Sequence, residues 1–334
     1  MQTSEIKFGA ITISLDFEIH WGVRDHFTVD GHYRQNLLGV RKAVPAMLDL
    51  FDEFGIAVTW ATVGFLFSKS KDELKDYQPK TLPDYHNETL NPYGESIGNS
   101  EKDDLFHFAP SLIQRIKETP GQEIATHTFS HYYCLEPGQT RETFAADLDS
   151  AVALAEENDV KLRSIVFPRN QHNEKYTDIL LSRGINCIRG NQPNWIYGLD
   201  ENGKSNKAKR ALRLIDQHFN VAGQHAIDWN EIWENEKMAN VRASYFLRPA
   251  QTRRTWMNDL RFRRLKQSLE FAAQNNKIVH LWWHPHNFGT NTEANIAFLR
   301  KVLEVYRTCH EKYGMKSLSM SEIAQTAKQA VSKI

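Results

Sequence analysis

Apolar and polar positions alternate over residues 8–17 (FGAITISLDF), a stretch rich in β-branched residues that ends in acids. That period of two predicts a strand. Downstream, Val44, Leu48, Phe51 and Phe54 fall at i, i+4, i+7 and i+10, which predicts a helix over 38–54 with Gly55 as its stop. The apolar run 56–67 (IAVTWATVGFLF) reads as a buried strand leading into another helix. Residues 68–110 are polar and contain Pro79, Pro83, Pro92 and Pro110. A loop of this length in a compact domain is expected to be an insertion that works as a lid or is partly disordered.

From there the alternation resumes, with a helix over 111–118, a strand over 123–126 and an amphipathic helix over 140–158. Thr140 and Glu142 suggest a capping box at the start of that helix. Strands are expected over 164–167, 185–189, 241–247, 277–283 and 317–319, and helices over 174–183, 256–275 and 294–313. Residues 190–225 lack a period. Strands alternating with helices predict a parallel sheet or barrel. No linker divides the chain, so residues 1–334 are expected to form one α/β domain, with 294–313 as its C-terminal helix.

Composition narrows the partners. The 334 residues carry 41 Lys+Arg against 41 Asp+Glu, so no bulk charge favours nucleic acid or an anionic membrane. Cys134, Cys187 and Cys309 form no CxxC pair or disulfide framework, which suits a reducing compartment. The N-terminal residues read as a strand and not a signal peptide, and no window approaches a membrane span. A cytoplasmic location is expected. Neither GxGxxG nor GxxxxGK[ST] occurs, which removes the Gly-rich phosphate loops.

In βα barrels, chemistry sits at the C-terminal ends of the strands. Here those ends collect Asp16 and Glu18, then His127 and His131, then Arg169, and finally His284, His286 and Asn287. Asp228 and Trp229 are expected at the same rim. His127 and His131 are spaced i, i+4 in a Thr/Ser-rich turn and can face one cation. His280 and His284 share the spacing but lie on an apolar strand, ~13 Å apart, too far to chelate. A catalytic divalent ion commonly takes three protein ligands and keeps one position for water, so a carboxylate from the Asp16/Glu18 pair would complete the set. Those two acids point to one side of a strand, so one can bind metal while the other accepts a proton. Arg169 is the candidate to orient that base, with Asp228 its possible partner, and His284 the candidate general acid. Trp21, Trp229, Trp282 and Trp283 offer stacking surfaces for sugar rings. His286 and Asn287 stand with Trp21, Trp229 and Trp283 as expected substrate contacts.

Five stretches in order, SLDFE, ATVGFLF, HTFSH, FPRNQ and HLWWHPHN, resemble the polysaccharide deacetylase family, the NodB-homology or carbohydrate esterase 4 group. The resemblance implies a distorted (β/α)7 barrel and a metal-dependent hydrolase of acyl groups on sugars. It further implies that His127 and His131 bind the metal, most simply Zn2+, with Glu18 as third ligand and Asp16 as base. It makes Arg169, Asp228 and His284 catalytic. The spacing Asp16-Phe17-Glu18 departs from the family's adjacent aspartates, and Pro168 precedes Arg169 where the family places it after. These variants suggest a subgroup that acts on surface polysaccharides or O-antigen, or on lipid- or nucleotide-linked precursors. A lipid-linked substrate would bring peripheral membrane contact, for which the basic stretch RRTWMNDLRFRRLK is available. An inactive sugar-binding barrel and an amidohydrolase of non-sugar amides are the rival readings.

Overall fold

A computed structural model describes residues 6–192, 212, 216, 219, 221, 223–233 and 237–332. Its strands are β1 (Ala10–Phe17), β2 (Val58–Thr62), β3 (Gln122–Thr126), β4 (Ser164–Ile165), β5 (Cys187–Ile188), β6 (Ala239–Asn240), β7 (Tyr245–Phe246), β8 (Ile278–Trp283) and β9 (Lys316–Ser317). Among the described residues they form one sheet in the order β6-β5-β4-β3-β2-β1-β8-β7, with β9 added to β1. Each named pairing is parallel. The sheet curls with its helices outside, the distorted barrel expected for a (β/α)7 fold.

Strand β1 is central and buried along its whole length. Ile13 is in register with Val58 on one side and with Leu281 on the other. Its odd positions, Ile11, Ile13, Leu15 and Phe17, join the large apolar core beneath the helices. Its even positions, Thr12, Ser14 and Asp16, face the barrel interior, because successive strand side chains point to opposite faces. The same rule divides β8: Val279, Leu281 and Trp283 join the outer core. His280 turns inward and shares a hydrogen bond with Ser14. Burial first, and then the charge of Arg189, push the His280 imidazole down to about 3.

Helix α1 (Arg34–Phe54) contributes Leu37, Val40, Val44, Met47, Leu48 and Phe51 to that core and ends at Gly55 in the left-handed conformation. The longer helices after it are α2 (Pro110–Glu118), α3 (Arg141–Glu157), α4 (Thr255–Gln274), α5 (Thr292–Tyr313) and α6 (Met320–Ser332). The capping box of α3 is closed by Thr143 and not by Glu142. The motif requires the partner three residues after the cap, and Glu142 is only two away.

Three features depart from the sequence expectations. First, β6 precedes β7 and was not among the expected strands. Second, α6 follows the expected C-terminal helix and closes the lower end of the barrel, where Met320 and Ile323 pack with Ala10, Cys187 and Ile278. Third, residues 68–110 are fastened to the body. Ala109 N–H donates to the Leu66 carbonyl, and Asp84 N–H to that of Gly138. Tyr85, Leu90, Phe108 and His107 are buried there. Much of 190–225 lies outside the described residues.

Helix α1 also seats the segment after β8. A Cβ placed on Gly39 would lie 1.9 Å from the Gly289 carbonyl oxygen. The Asn36 side-chain amide donates to the His286 carbonyl. Overpacking at such a backbone contact costs about 1–3 kcal/mol. Gly39→Ala is therefore expected to destabilise the fold by that amount, read as a lower midpoint in urea unfolding with unchanged m-value.

Candidate active site and metal centre

The upper rim brings Glu18 to the two histidines. Beyond β1 the chain turns sharply at Ile19, whose φ is 47°, and Trp21 N–H donates to the Glu18 carbonyl. Gly22 lies against the Glu18 carboxylate, and a Cβ there would sit 1.9 Å from the carboxyl carbon. The side chain can fold back into the rim because position 22 has none of its own.

HTFSH follows β3 as a tight loop. Thr128 and His131 take positive φ, 63° and 59°. Such values are rare for a β-branched residue and need support from the surroundings. The Thr128 hydroxyl donates to the His127 carbonyl and accepts from Tyr132 N–H. Asp147, on α3, accepts from Phe129 N–H, Ser130 N–H and the Ser130 hydroxyl. Asp147 was missed in the sequence, although an acid on the apolar stripe of Phe144, Leu148 and Ala151 was a signal. Burial pushes its carboxyl up to about 6 in spite of those three donors.

The outcome is a buried trio. Glu18 Oε2 lies 3.3 Å from His127 Nε2 and 3.1 Å from His131 Nε2. His127 Nδ1 is 2.8 Å from the Val166 carbonyl oxygen. A carbonyl only accepts, so Nδ1 carries the hydrogen and a neutral His127 aims an Nε2 lone pair at a carboxylate. Burial is the largest influence on His131 and lowers its pKa, which favours the neutral, ligating form. The His127 lone pair and the Glu18 carboxylate repel at this distance unless a cation or a proton joins them. The donor set therefore fits a divalent ion held by two His and one carboxylate.

Asp16 is handled separately. Arg189 clamps both of its oxygens, Nη1 to Oδ1 at 2.6 Å and Nη2 to Oδ2 at 2.8 Å. Arg189 itself is 2% exposed, bonds Ser14 and Asn170, and lies 4.3 Å over the Trp282 ring. Burial raises the Asp16 pKa most strongly, but the charge and hydrogen bonds of Arg189, with His284 and His127, bring it below the usual carboxylate range. Glu18 is likewise pushed up by burial and brought well below its usual range, first by the charge of His284 and then by the facing imidazoles of His127 and His131. His284 Nε2 stands 3.7 Å from Asp16 Oδ2 and 3.6 Å from Glu18 Oε1, and its side chain is 24% exposed. His286 stacks beneath it at 5.0 Å.

Several expected residues lie elsewhere. Arg169 does not orient Asp16. It pairs with Asp25, approaches Glu136 at 3.8 Å and covers the Tyr133 ring. Arg189 takes the expected orienting place. It closes the predicted strand over 185–189, so its rim position was readable, but Pro168-Arg169 drew the assignment. Asp228 pairs with Lys277 at 2.8 Å, beside the Ile227–Ile278 bridge at the start of β8 and hence at the opposite end of the barrel. Trp229 is there too, bonded to the Phe8 carbonyl. Trp21 and Trp283 are fully buried and expose no face to a sugar. His286 is buried, its imidazole pushed down to about 3 chiefly by burial, and the Asn287 amide is bonded to the Tyr33 hydroxyl. Of the expected stacking tryptophans, Trp282, half-buried beside His284, remains near the rim.

A polysaccharide deacetylase family profile matches residues 26–188, a stretch that holds His127 and His131. A solved structure named as a polysaccharide deacetylase from Mycobacterium smegmatis aligns with a TM-score of 0.60 at 13% identity, covering 98% of this chain and 93% of that one. Over residues 26–188 the chain is similar to the polysaccharide deacetylase family. A second structure so named, from Pseudomonas aeruginosa PAO1, aligns with a TM-score of 0.54 at 11% identity over 96% of this chain and 90% of its own. The PuuE allantoinase structure aligns at 0.52 and 12% identity over 95% and 88%. At such identities the structural likeness speaks for the fold. No curated protein matches the chain. Members of the polysaccharide deacetylase family generally depend on a metal, and the Glu18/His127/His131 group suits one.

Asp147→Ala strands two buried backbone N–H groups behind the histidine loop. Groups that orient metal ligands are worth about 10–100-fold in affinity. Zinc titration of the variant against wild type is expected to show a loss in that range, and unchanged affinity would remove Asp147 from this role.

Proposed function

We propose that the protein is a metal-dependent hydrolase that removes an N-acetyl or other acyl group from an amino sugar. The substrate we favour is a surface polysaccharide such as O-antigen, or its lipid- or nucleotide-linked precursor. The observation that carries the reading is the meeting of Glu18, His127 and His131 beside an Arg189-clamped Asp16 and a partly open His284.

Glu18, His127 and His131 would hold the ion, zinc by its donor set, which would acidify a water and polarise the acyl carbonyl. Asp16, kept ionised by Arg189, would accept the proton of the attacking water as the water oxygen bonds to the acyl carbon. Arg189 occupies both carboxylate oxygens, so it fixes the base in one rotamer. His284 gives a proton to the departing nitrogen as the C–N bond breaks. A carboxylic acid and a free amine leave.

Three buried free cysteines agree with a reducing compartment, and we place the reaction in the cytoplasm. No helix of the described residues is long and apolar enough to cross a membrane. Peripheral contact through the basic α4 is disfavoured, since Arg261 and Arg264 are buried and bonded to carbonyls of the Arg248–Pro249 and Gly223 segments. Hydrolysis of a non-sugar amide is the second reading, favoured by the burial of Trp21 and Trp283, which leaves sugar rings without those two stacking faces.

Rigorous chelation is expected to abolish acetate release from N-acetylated amino sugars, and zinc to restore it. Full activity of metal-free protein would refute the reading. Asp16→Asn should keep the metal and lose turnover, while Glu18→Gln should lose the metal. Arg189→Met should lower kcat by at least 100-fold with metal retained, whereas Arg169→Ala should leave kcat within a few-fold. Metal analysis alongside acetate assays reads all four, and equal losses at both arginines would undo the assignment of Arg189.

A further inference from the structure

A second group of ligating side chains lies close to the first: His20, Glu95 and His107, with one donor atom of each within 4.8 Å of the others. His20 belongs to the loop after β1. Glu95 and His107 come from the 68–110 segment. His20 and His107 are each 2% exposed, and Glu95 is half-buried.

Their outer hydrogen bonds fix both imidazoles. His20 Nε2 is 2.9 Å from the Phe27 carbonyl oxygen, which only accepts, so Nε2 carries the hydrogen. His107 Nδ1 is 2.7 Å from Asp104 Oδ2. The Asp104 carboxylate also accepts from the backbone N–H groups of Gly98, Phe106 and His107. It too only accepts, so His107 Nδ1 carries a hydrogen. In the neutral rings, His20 Nδ1 and His107 Nε2 are then both bare acceptors, facing each other 2.8 Å apart out of reach of solvent. Two lone pairs repel in that position unless a cation lies against them.

We propose that His20 Nδ1, His107 Nε2 and the Glu95 carboxylate form a second site for a divalent transition ion, zinc in the first place, separate from the Glu18 centre. Asp104 behind His107 and the Phe27 carbonyl behind His20 are the kind of partners that orient metal-bound imidazoles. Glu95 supplies the carboxylate and its partial exposure supplies the way in. Arg24 Nη1, 3.7 Å from Glu95, gives up that contact when the ion binds. Two zinc–nitrogen bonds at a tetrahedral angle set the nitrogens ~3.3 Å apart, so the rings separate by about half an ångström. Such an ion would tie the 68–110 segment to the loop that carries Glu18 and Gly22.

The test counts zinc per chain after loading and exhaustive dialysis, in wild type, His127→Ala, Glu95→Gln and the His127→Ala/His107→Ala pair. Two equivalents are expected in wild type, one in His127→Ala and none in the pair. Glu95→Gln, at a half-buried position that keeps the fold, should bind the second equivalent at least tenfold more weakly. Cobalt-loaded His127→Ala should show visible d–d absorption that the pair lacks. One equivalent in wild type with none in His127→Ala overturns the proposal and leaves a shared proton between the imidazoles. One equivalent in both supports this site while removing the Glu18 centre, so the two readings fail separately.

Discussion

The upper rim is organised around one electrostatic demand: the buried Glu18 carboxylate faces the Nε2 of His127, whose ring hydrogen is held at Nδ1 by the Val166 carbonyl. A buried ion without compensation costs several kcal/mol. Positive charge at the centre of the trio would relieve this, and neighbouring features keep the donors converged. Gly22 leaves room for the carboxylate, the Val166 carbonyl sets the tautomer of His127, and Asp147 holds a loop with two residues at positive φ. Each of these would be a liability in a site meant only for packing.

The second acid explains why one strand end can do two tasks. Asp16 and Glu18 sit on the same side of β1 and are both buried, so each charge tends to raise the other's pKa. Each has its own nearest partner. Arg189 neutralises Asp16 from β5, and the histidines face Glu18 from the loop after β3. The proposed ligand and the proposed base are thereby held by different neighbours. His284 faces both from β8, on the open side.

What the sequence made legible follows from where its signals are local. The period of two in β1 and β8, the helical period of α1 and the His127/His131 spacing each lie within one element, and the structure places them accordingly. Side-chain direction in neighbouring residues was not legible without the sheet: Trp282 borders the site while Trp283 is buried in the outer core, though both are aromatic and adjacent. Asp228 and Trp229 were set at the wrong end because residues around 227 carry no period, and only the antiparallel bridge to Ile278 tells which end of β8 they meet. Arg189 against Arg169 was a choice between two rim arginines that only three-dimensional distance decides. The tautomers, finally, depend on carbonyls such as that of Val166, which no sequence pattern marks.

The 68–110 segment illustrates the same point in reverse. Its prolines and polar residues have the composition of a mobile lid, yet its interior ends are anchored where the site is built. The Trp21 indole N–H donates to the His107 carbonyl, His20 N–H reaches the Phe106 carbonyl, and Tyr133 N–H donates to the Tyr85 hydroxyl. Tyr133 is two residues from His131, and His20 is two from Glu18. The segment thus braces both sides of the trio, the carboxylate loop through His107 and the histidine loop through Tyr85. A lid that opened would have to release these contacts and with them the geometry of the trio, which among the described residues is open on the side of the partly exposed His284.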